Sequence, residues 1–301
     1  MRSDALYGGV EAGGTKFNCI VGSGPDSIEA QARIPTTTPA ETLQRVIHFF
    51  KPYVQIGRIR SLAIGSFGPV DLNKASPTYG WITSTPKPGW RNVDVLGPLK
   101  SALQLPTALD TDVNVAALGE VTWGAGRGAA PVLYLTIGTG IGGGLIDGGR
   151  AFQGLSHPEM GHIRIPHDLS VDDFPGNCPF HNDCFEGLAN GPAIQRRLGQ
   201  PADTLADDHP FWIIEAGYIS AALAVYILVL SPARIILGGG VMQRRFMFPA
   251  IRQGVRGNLN GYVELPELME HIDEYIVPPQ LGSQSGVLGA LALARQSVSR
   301  S

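Results

Sequence analysis

The feature that most narrows the fold is a pair of glycine turns, one in each half of the chain, each set between two short apolar runs. The first is Glu11-Ala12-Gly13-Gly14-Thr15-Lys16, between residues 6–10 and 17–21. The second is Gly138-Thr139-Gly140-Ile141-Gly142-Gly143, between residues 132–137 and 144–147. Strands joined across a tight glycine turn form a hairpin. A hairpin that recurs predicts an internal duplication and two similarly folded lobes. Around the hairpins the spacing predicts strands at 59–64, 106–109 and 234–237. It predicts helices at 40–50 (capped by Thr38 or Thr36), 93–103, 113–122, 213–230, from 241 onward and at 286–294, and an ordered loop at 79–92. Strands alternate with helices, yet the hairpins exclude a purely parallel sheet, so the class is α/β with mixed sheets. A chain of 301 residues has length for about two domains. The expected division is 1–112 plus about 287–301 as the small lobe, and 113–286 as the large lobe.

Composition removes several classes of function. The formal charge of −3 offers no basic field for nucleic acid or an anionic membrane. Charged residues are 16%, against about 25% in a typical domain, which argues against disorder. Three cysteines cannot make a disulfide framework. The longest apolar run, 216–230, is shorter than the roughly 20 residues a bilayer needs and reads as a buried helix. No charged and apolar leader opens the sequence, so a cytoplasmic location is expected, with no nucleic-acid or membrane partner.

The glycine turns suggest chemistry as well as shape. Gly138-x-Gly140-x-x-Gly143 matches the dinucleotide fingerprint by letter, but that fingerprint needs a helix directly after its third glycine. The glycine-rich stretch 144–149 cannot supply one. No Gly-Lys-Ser/Thr P-loop is present either. Backbone N–H groups bared at Gly13, Gly14, Gly138 and Gly140 can instead cradle phosphates. Thr15 and Thr139 add hydroxyl donors and Lys16 a positive charge. Gly238-Gly239-Gly240 leads from a strand into a helix, and a nucleotide can pack on that bend.

Cys178, His181 and Cys184 follow at three-residue intervals, and His162 lies sixteen residues upstream. Two thiolates and two imidazoles make a tetrahedral zinc set. His157 and His167 are further candidates for the place of His162. Asp110, Asp112 and Asn114 cluster where a strand meets a helix. A carboxylate there can accept a proton from a substrate hydroxyl, but the same residue types cap helices, and position alone leaves both readings open. Glu159 and Glu186 flank the cysteine cluster, as sugar-hydroxyl acceptors or as supporting surface groups.

Taken together these segments resemble the ROK-family sugar kinases, and within them the bacterial fructokinases. The resemblance is carried over nearly the whole chain by residues 9–16, Asp112 to Glu120, Gly138 to Gly144, His157-Pro158-Glu159-Met160-Gly161-His162 and Cys178 to Gly187. The fructokinase branch is marked by Glu11, Ser66-Phe67-Gly68-Pro69, the stretch 83–90 and Cys-Pro-Phe-His in the metal loop. The resemblance implies the two-lobed actin/hexokinase-like ATPase fold, with duplicated ribonuclease H-like mixed sheets. It implies ATP and Mg²⁺, a structural Zn²⁺ in a loop spanning 162–184, and a homodimer. Asp112 matches the catalytic base that takes the proton of the 6-hydroxyl of D-fructose. Asn114, Glu159, His162 and Glu186 match sugar contacts. Gly13, Gly14, Thr15 and Lys16 match the first phosphate turn, Gly138, Thr139 and Gly140 the second, and Gly239 and Gly240 the adenosine-side turn. His162, Cys178, His181 and Cys184 match the zinc ligands. The wider family has a third cysteine where His181 stands, Asn where Thr111 stands, and Asp where Glu11 stands. That last change leaves the magnesium side open. Mannose, glucose or another hexose is the alternative substrate, and a non-catalytic sugar sensor the remoter alternative.

Overall fold

The structure, a computed structural model, describes residues 5–299. The chain divides into two compact units. The first holds the chain up to Arg127, Gly149–His157 and everything from Ser283; the second holds Gly128–Gly148 and Pro158–Gly282.

The first unit opens with β1 (Leu6–Ala12) and β2 (Lys16–Gly24), paired antiparallel across the first glycine turn. β3 (Ser27–Pro35) adds a third antiparallel strand. This strand is not among those predicted, although residues 28–34 alternate apolar and polar; most of its residues are exposed, as befits an edge. Helix α1 (Pro39–Gln55) follows, its N-cap Thr38 accepting the Glu41 N–H, with Thr42, Leu43, Val46 and Phe50 on its buried stripe. β4 (Ile59–Ser66) and, after an interlude, β7 (Thr107–Thr111) pair parallel, which gives the order β3-β2-β1-β4-β7.

The interlude departs from expectation. The predicted loop 79–92 contributes β5 (Trp81–Ile82), which pairs with β6 (Val93–Asp94). Asp94 Oδ1 then accepts the N–H groups of Leu96 and Gly97, so α2 begins at Gly97 (Gly97–Leu103) and not at 93. α3 (Asp112–Trp123) starts directly from β7, with Thr111 as N-cap.

The second unit repeats the plan. β8 (Val132–Ile137) and β9 (Ile141–Asp147) pair antiparallel across the second turn. The turn is only Gly138-Thr139-Gly140; Ile141, Gly142 and Gly143 already belong to the strand, which also confirms that no dinucleotide helix follows. Past β10 (Arg150–Ala151), a piece of the first unit, come α4 (Phe185–Ala189), α5 (Gly191–Leu198) and α6 (Phe211–Leu230). β11 (Arg234–Gly238) lies parallel to β8. Two single 3₁₀ turns, Val241–Gln243 and Arg245–Met247, occupy the place of the helix expected from 241, and α7 (Phe248–Leu259) begins only after them. The short α8 (Pro266–Met269) and α9 (Ile272–Tyr275) lead into β12 (Ile276–Val277), parallel to β11. The run β9-β8-β11-β12 thus repeats β2-β1-β4-β7, strand for strand and sense for sense. Each unit has its own core, around Phe17, Phe50, Leu62 and Trp90 in the first and around Leu133, Phe185, Ile219 and Ile251 in the second.

α6 begins five residues before the expected apolar run. At 20 residues it is long and apolar enough to cross a bilayer, yet most of it is buried in the core of its unit. The chain returns to the first unit with α10 (Ser285–Ser299). α3 also stays in this unit, so the division falls later than residue 112. The reason is a backbone-to-backbone contact. A Cβ on Gly119 of α3 would lie 2.6 Å from the Ser285 carbonyl oxygen, and one on Gly289 of α10 would lie 1.6 Å from the Val115 carbonyl oxygen. Only glycine lets the two helices approach so closely.

Candidate active site and metal centre

In the first unit the glycine turn is fixed by its carbonyls. Gly13 N–H donates to the Lys16 carbonyl, while Thr36 donates its hydroxyl to Gly13 O at 2.7 Å and its N–H to Thr15 O at 3.0 Å. The amides of Gly14 and Thr15 have no partner among the described residues. Thr36, read in the sequence as a possible cap, thus holds the turn instead. Glu11 closes β1; its Oε2 accepts Asn18 Nδ2 at 2.7 Å. Burial raises its pKa, while the Asn18 amide and the Lys16 charge pull it down.

The carboxylate cluster sits at the junction of β7 and α3. Thr111 is the cap: its hydroxyl accepts the Asn114 N–H at 3.1 Å. Asp112 is the first residue of the helix, half-buried, with Oδ1 accepting the Val113 N–H at 2.9 Å. A helix N-terminus favours its negative charge. Asp110 Oδ1 accepts the Thr111 N–H and Asn114 Nδ2. Burial raises the Asp110 pKa, against the pull of Asn114, Thr111 and the nearby His157. His157 belongs to this unit, where its Nε2 takes the Val70 N–H at 3.4 Å.

In the second unit the other glycine turn is held the same way by different residues. Gly138 N–H donates to Gly140 O, Gly191 N–H to Gly138 O at 2.7 Å, and Asn190 Nδ2 to Thr139 O at 3.1 Å. Asn190 caps α5 with its Oδ1. The amides of Thr139 and Gly140 have no partner among the described residues. Gly240 adjoins this turn, its N lying 3.7 Å from where a Gly138 Cβ would stand. Gly239 has φ +92°, and a side chain there would run into the Ile137 backbone. Beyond it opens a cleft of about 520 Å³, lined in part by Asp203, Asp207, Gly240, Arg244 and Phe246. Arg244 is fixed on its wall by Asp207, by the Ala202 carbonyl and by the Trp212 ring face.

His162, Cys178, His181 and Cys184 come together with all four donor atoms within 4.8 Å of one another. His162 Nδ1 lies 3.7 Å from Cys178 Sγ and 3.6 Å from Cys184 Sγ, and His181 Nδ1 lies 3.7 Å from Cys178 Sγ. A tetrahedral zinc with ordinary Zn–S and Zn–N bonds sets neighbouring S and N donors about 3.6 Å apart, so the residues fit that ion. Burial pushes the Cys184 thiol up to about 11, and metal binding must displace that proton. His167 is engaged elsewhere, by the Asp172 carbonyl and Asp183.

Glu186 and Glu159 stand on either side of the metal loop. Glu186 Oε2 accepts the Ile141 N–H at 2.8 Å just past the glycine turn, and Oε1 lies 3.9 Å from His162 Nε2. It therefore holds the start of β9 and stands beside the imidazole, beyond hydrogen-bond distance from it. Glu159 precedes the 3₁₀ turn Met160–His162 and is exposed. The His and Cys residues singled out from the sequence do come together, and the two glycine turns do form, but the sequence did not point to Asn190 or Arg244, or to Thr36 as anything but a cap. Asn190-Gly191-Pro192 carries an N-cap signature that could have pointed to Asn190; Thr36 and Arg244 have no local signal.

This geometry has relatives. A putative fructokinase of Bacillus subtilis (strain 168) is 50% identical over 293 residues, 97% of this chain and 96% of that protein. A fructokinase of Pediococcus pentosaceus is 44% identical over 293 residues, 97% of this chain and 99% of that one. Among solved structures, the ROK hexokinase of Thermus thermophilus is 25% identical with a TM-score of 0.79, covering 98% of this chain and 100% of that one. A ROK family glucokinase from Streptomyces griseus, in complex with glucose and AMPPNP, is 26% identical with a TM-score of 0.75, covering 97% and 100%. The α/β fold with duplicated mixed sheets is therefore that of the hexokinase-like kinases. The ROK family model itself matches residues 7–297, and with half-identical relatives along the full length, this chain belongs to the ROK family.

Proposed function

We propose that this chain is an ATP-dependent fructokinase that transfers the γ-phosphoryl group to the 6-hydroxyl of D-fructose, giving fructose 6-phosphate. The observation that carries the kinase reading is the pair of glycine turns whose carbonyls are tied down and in which the amides of Gly14, Thr15, Thr139 and Gly140 have no partner among the described residues. Such amides are ready-made phosphate donors. The Gly13 and Gly138 N–H groups, expected bare from the sequence, instead donate to the Lys16 and Gly140 carbonyls. The choice of sugar rests on the full-length relatives named fructokinase.

Phosphoryl transfer asks for positioning and charge neutralisation more than for covalent work by the protein. In this reading the Gly14 and Thr15 amides and Lys16 bind terminal phosphate oxygens, as do the Thr139 and Gly140 amides, while Gly13 and Gly138 shape the two turns with their N–H groups held inside them. Gly239, Gly240 and the cleft beyond them take the adenosine, with Phe246 a ring for the base to stack on. Glu11 is the carboxylate we assign to the water shell of a Mg²⁺, which would supply positive charge to offset the negative charge of the phosphates. Asp112 orients the attacking hydroxyl and accepts its proton. Asn114, Glu159, His162 and Glu186 bind the sugar. Zinc in the His162, Cys178, His181 and Cys184 set is structural, because four protein ligands leave no open position.

The test is ADP release from Mg-ATP with fructose, mannose, glucose and N-acetylmannosamine supplied separately. A strong preference for fructose is expected. Turnover of a different sugar would move the substrate and keep the mechanism. No turnover with any of them, by folded and zinc-replete protein, would overturn the kinase reading and leave a sugar sensor.

A further inference from the structure

We propose that Asp110 is a positioning residue for the sugar: it clamps the side-chain amide of Asn114 so that the amide oxygen is the atom presented to a substrate hydroxyl. The inference rests on the kinase reading above, and it starts from a single oxygen. Asp110 Oδ1 accepts two N–H groups, the Thr111 backbone at 2.8 Å and Asn114 Nδ2 at 2.6 Å. A backbone N–H can only donate, so this oxygen is an acceptor whether or not the carboxyl carries a proton on Oδ2. The group that Asn114 turns towards it must then be its NH₂, because an amide oxygen cannot donate.

The rest of Asn114 is equally fixed. It lies in the first turn of α3, where its backbone N–H is held by the Thr111 hydroxyl. It is 3% exposed. Its Oδ1 has no hydrogen-bond partner among the described residues, and it is not one of the sealed polar atoms either, so it reaches open space. A nearly buried amide with its nitrogen clamped and its oxygen open is an acceptor for a hydroxyl O–H. It stands two residues after Asp112, the group we assign to the reacting hydroxyl.

A plain structural role accounts poorly for Asp110. The capping position is already filled by Thr111, whose extended backbone and hydroxyl do that work. No Lys or Arg forms an ion pair with Asp110 among the described residues. Burying a carboxyl without such a partner costs stability, a cost that position 110 bears and an apolar residue there would avoid. What the carboxyl does is hold the Asn114 amide, beside the Thr111 N–H.

Three proteins test this: wild type, Asp110→Asn and Asp110→Ala. The Thr111 N–H selects an oxygen at position 110, so Asp110→Asn keeps the acceptor and the clamp, whereas Asp110→Ala frees Asn114 to turn. Expected for Asp110→Asn are a fructose KM and a calorimetric fructose Kd within about threefold of wild type. Expected for Asp110→Ala is a rise of about tenfold or more in both, the scale of a site whose polar group is no longer aligned. Its kcat at saturating fructose and its KM for ATP should change by less than about threefold. Asp110→Ala binding fructose like wild type overturns the proposal. So does Asp110→Asn failing as badly as Asp110→Ala, since the negative charge would then be what matters. Should Asp110→Ala not fold, loss of fructose binding in Asp110→Asn still overturns the proposal, as does absence from wild type of a hydrogen-bonded Asn114 side-chain NH₂ proton; that proton in both wild type and Asp110→Asn upholds it. The side-chain amide resonances of Asn114 read the clamp without any sugar. A hydrogen-bonded NH₂ proton should be present in wild type and Asp110→Asn and lost in Asp110→Ala. With that signature present and no fructose bound by wild type, the substrate reading falls while the clamp stands. With fructose bound and the signature absent from wild type, the clamp falls alone.

Discussion

Asp112 shows how little separates a helix-starting aspartate from a candidate base. The residue before it supplies the cap, and the residue after it donates an N–H to the Asp112 carboxylate. The amide of Asp112→Asn accepts the same backbone bond but cannot take a proton. We expect the fold and nucleotide binding to survive and turnover to fall by at least about 10²-fold, the low end for a positioned general base. Steady-state kinetics beside a circular dichroism spectrum check this, and near wild-type turnover would remove Asp112 from the base role. At this scale the sequence was readable wherever chemistry dictates residue type: thiolates and imidazoles at metal spacing, glycines in turns, carboxylates at a strand-to-helix junction. It was unreadable where a residue acts by reaching across the fold. Thr36 pins a turn more than twenty residues away, and Asn190 pins one about fifty residues away. No local pattern records such pairings.

Among elements, the loop from His162 to Cys184 is held in two ways. Ile165 and Phe174 join the core of its unit and Asp172 pairs with Arg197 and Tyr218, but the stretch has only two isolated bridges and no continuous helix or strand. A structural zinc on its His and Cys side chains would add folding free energy to those contacts. We expect about one zinc per chain by elemental analysis. Cys178→Ser should lose it and melt at a lower temperature, and a purified wild-type protein without zinc would count against the assignment. α1 was legible from its amphipathic stripe, and α3 and α6 from apolar runs too long for a strand, each to within about five residues. Of the misses, β3 is an edge strand that does alternate apolar and polar, and the β5–β6 pair is two residues long on each side. α2 starts late because the Asp94 side chain, not periodicity, decides where its first turn begins.

For the molecule as a whole, the duplicated sheet order was legible because a strand–glycine turn–strand unit is a local signal and it occurs twice. The division between units was not, since it depends on a helix pairing that joins residues 112–123 to residues 285–299. Global stability carries one further consequence of burial. Glu215 of α6 is 0% exposed, and neither of its carboxyl oxygens has a partner. Burial raises its pKa well above 4.5; Arg197 pulls it down and Asp172 pushes it up by smaller amounts. The native protein therefore keeps a proton that the unfolded chain releases above about pH 4.5. Stability from this proton is complete below that pH and is lost as pH rises towards the native pKa. Glu215→Gln has no such proton to lose. Its melting temperature should match wild type near pH 4.5 and exceed it by a few degrees at pH 8. The difference between the two proteins is the readout, so effects shared by both cancel. An unchanged difference across that range would show that Glu215 is not held protonated.

The glycine contact between α3 and α10 also sets a timetable. A ribosome makes α3 more than 150 residues before it makes α10, and until then the face of α3 that carries Val115 and Gly119 has no helix to close on. The second unit lacks no such late piece, because its segments are all complete by Gly282. Domains generally fold as units during synthesis. This chain should thus assemble out of written order, with the unit that holds the four His and Cys side chains mature first and the half that holds Asp112 waiting for the last helix.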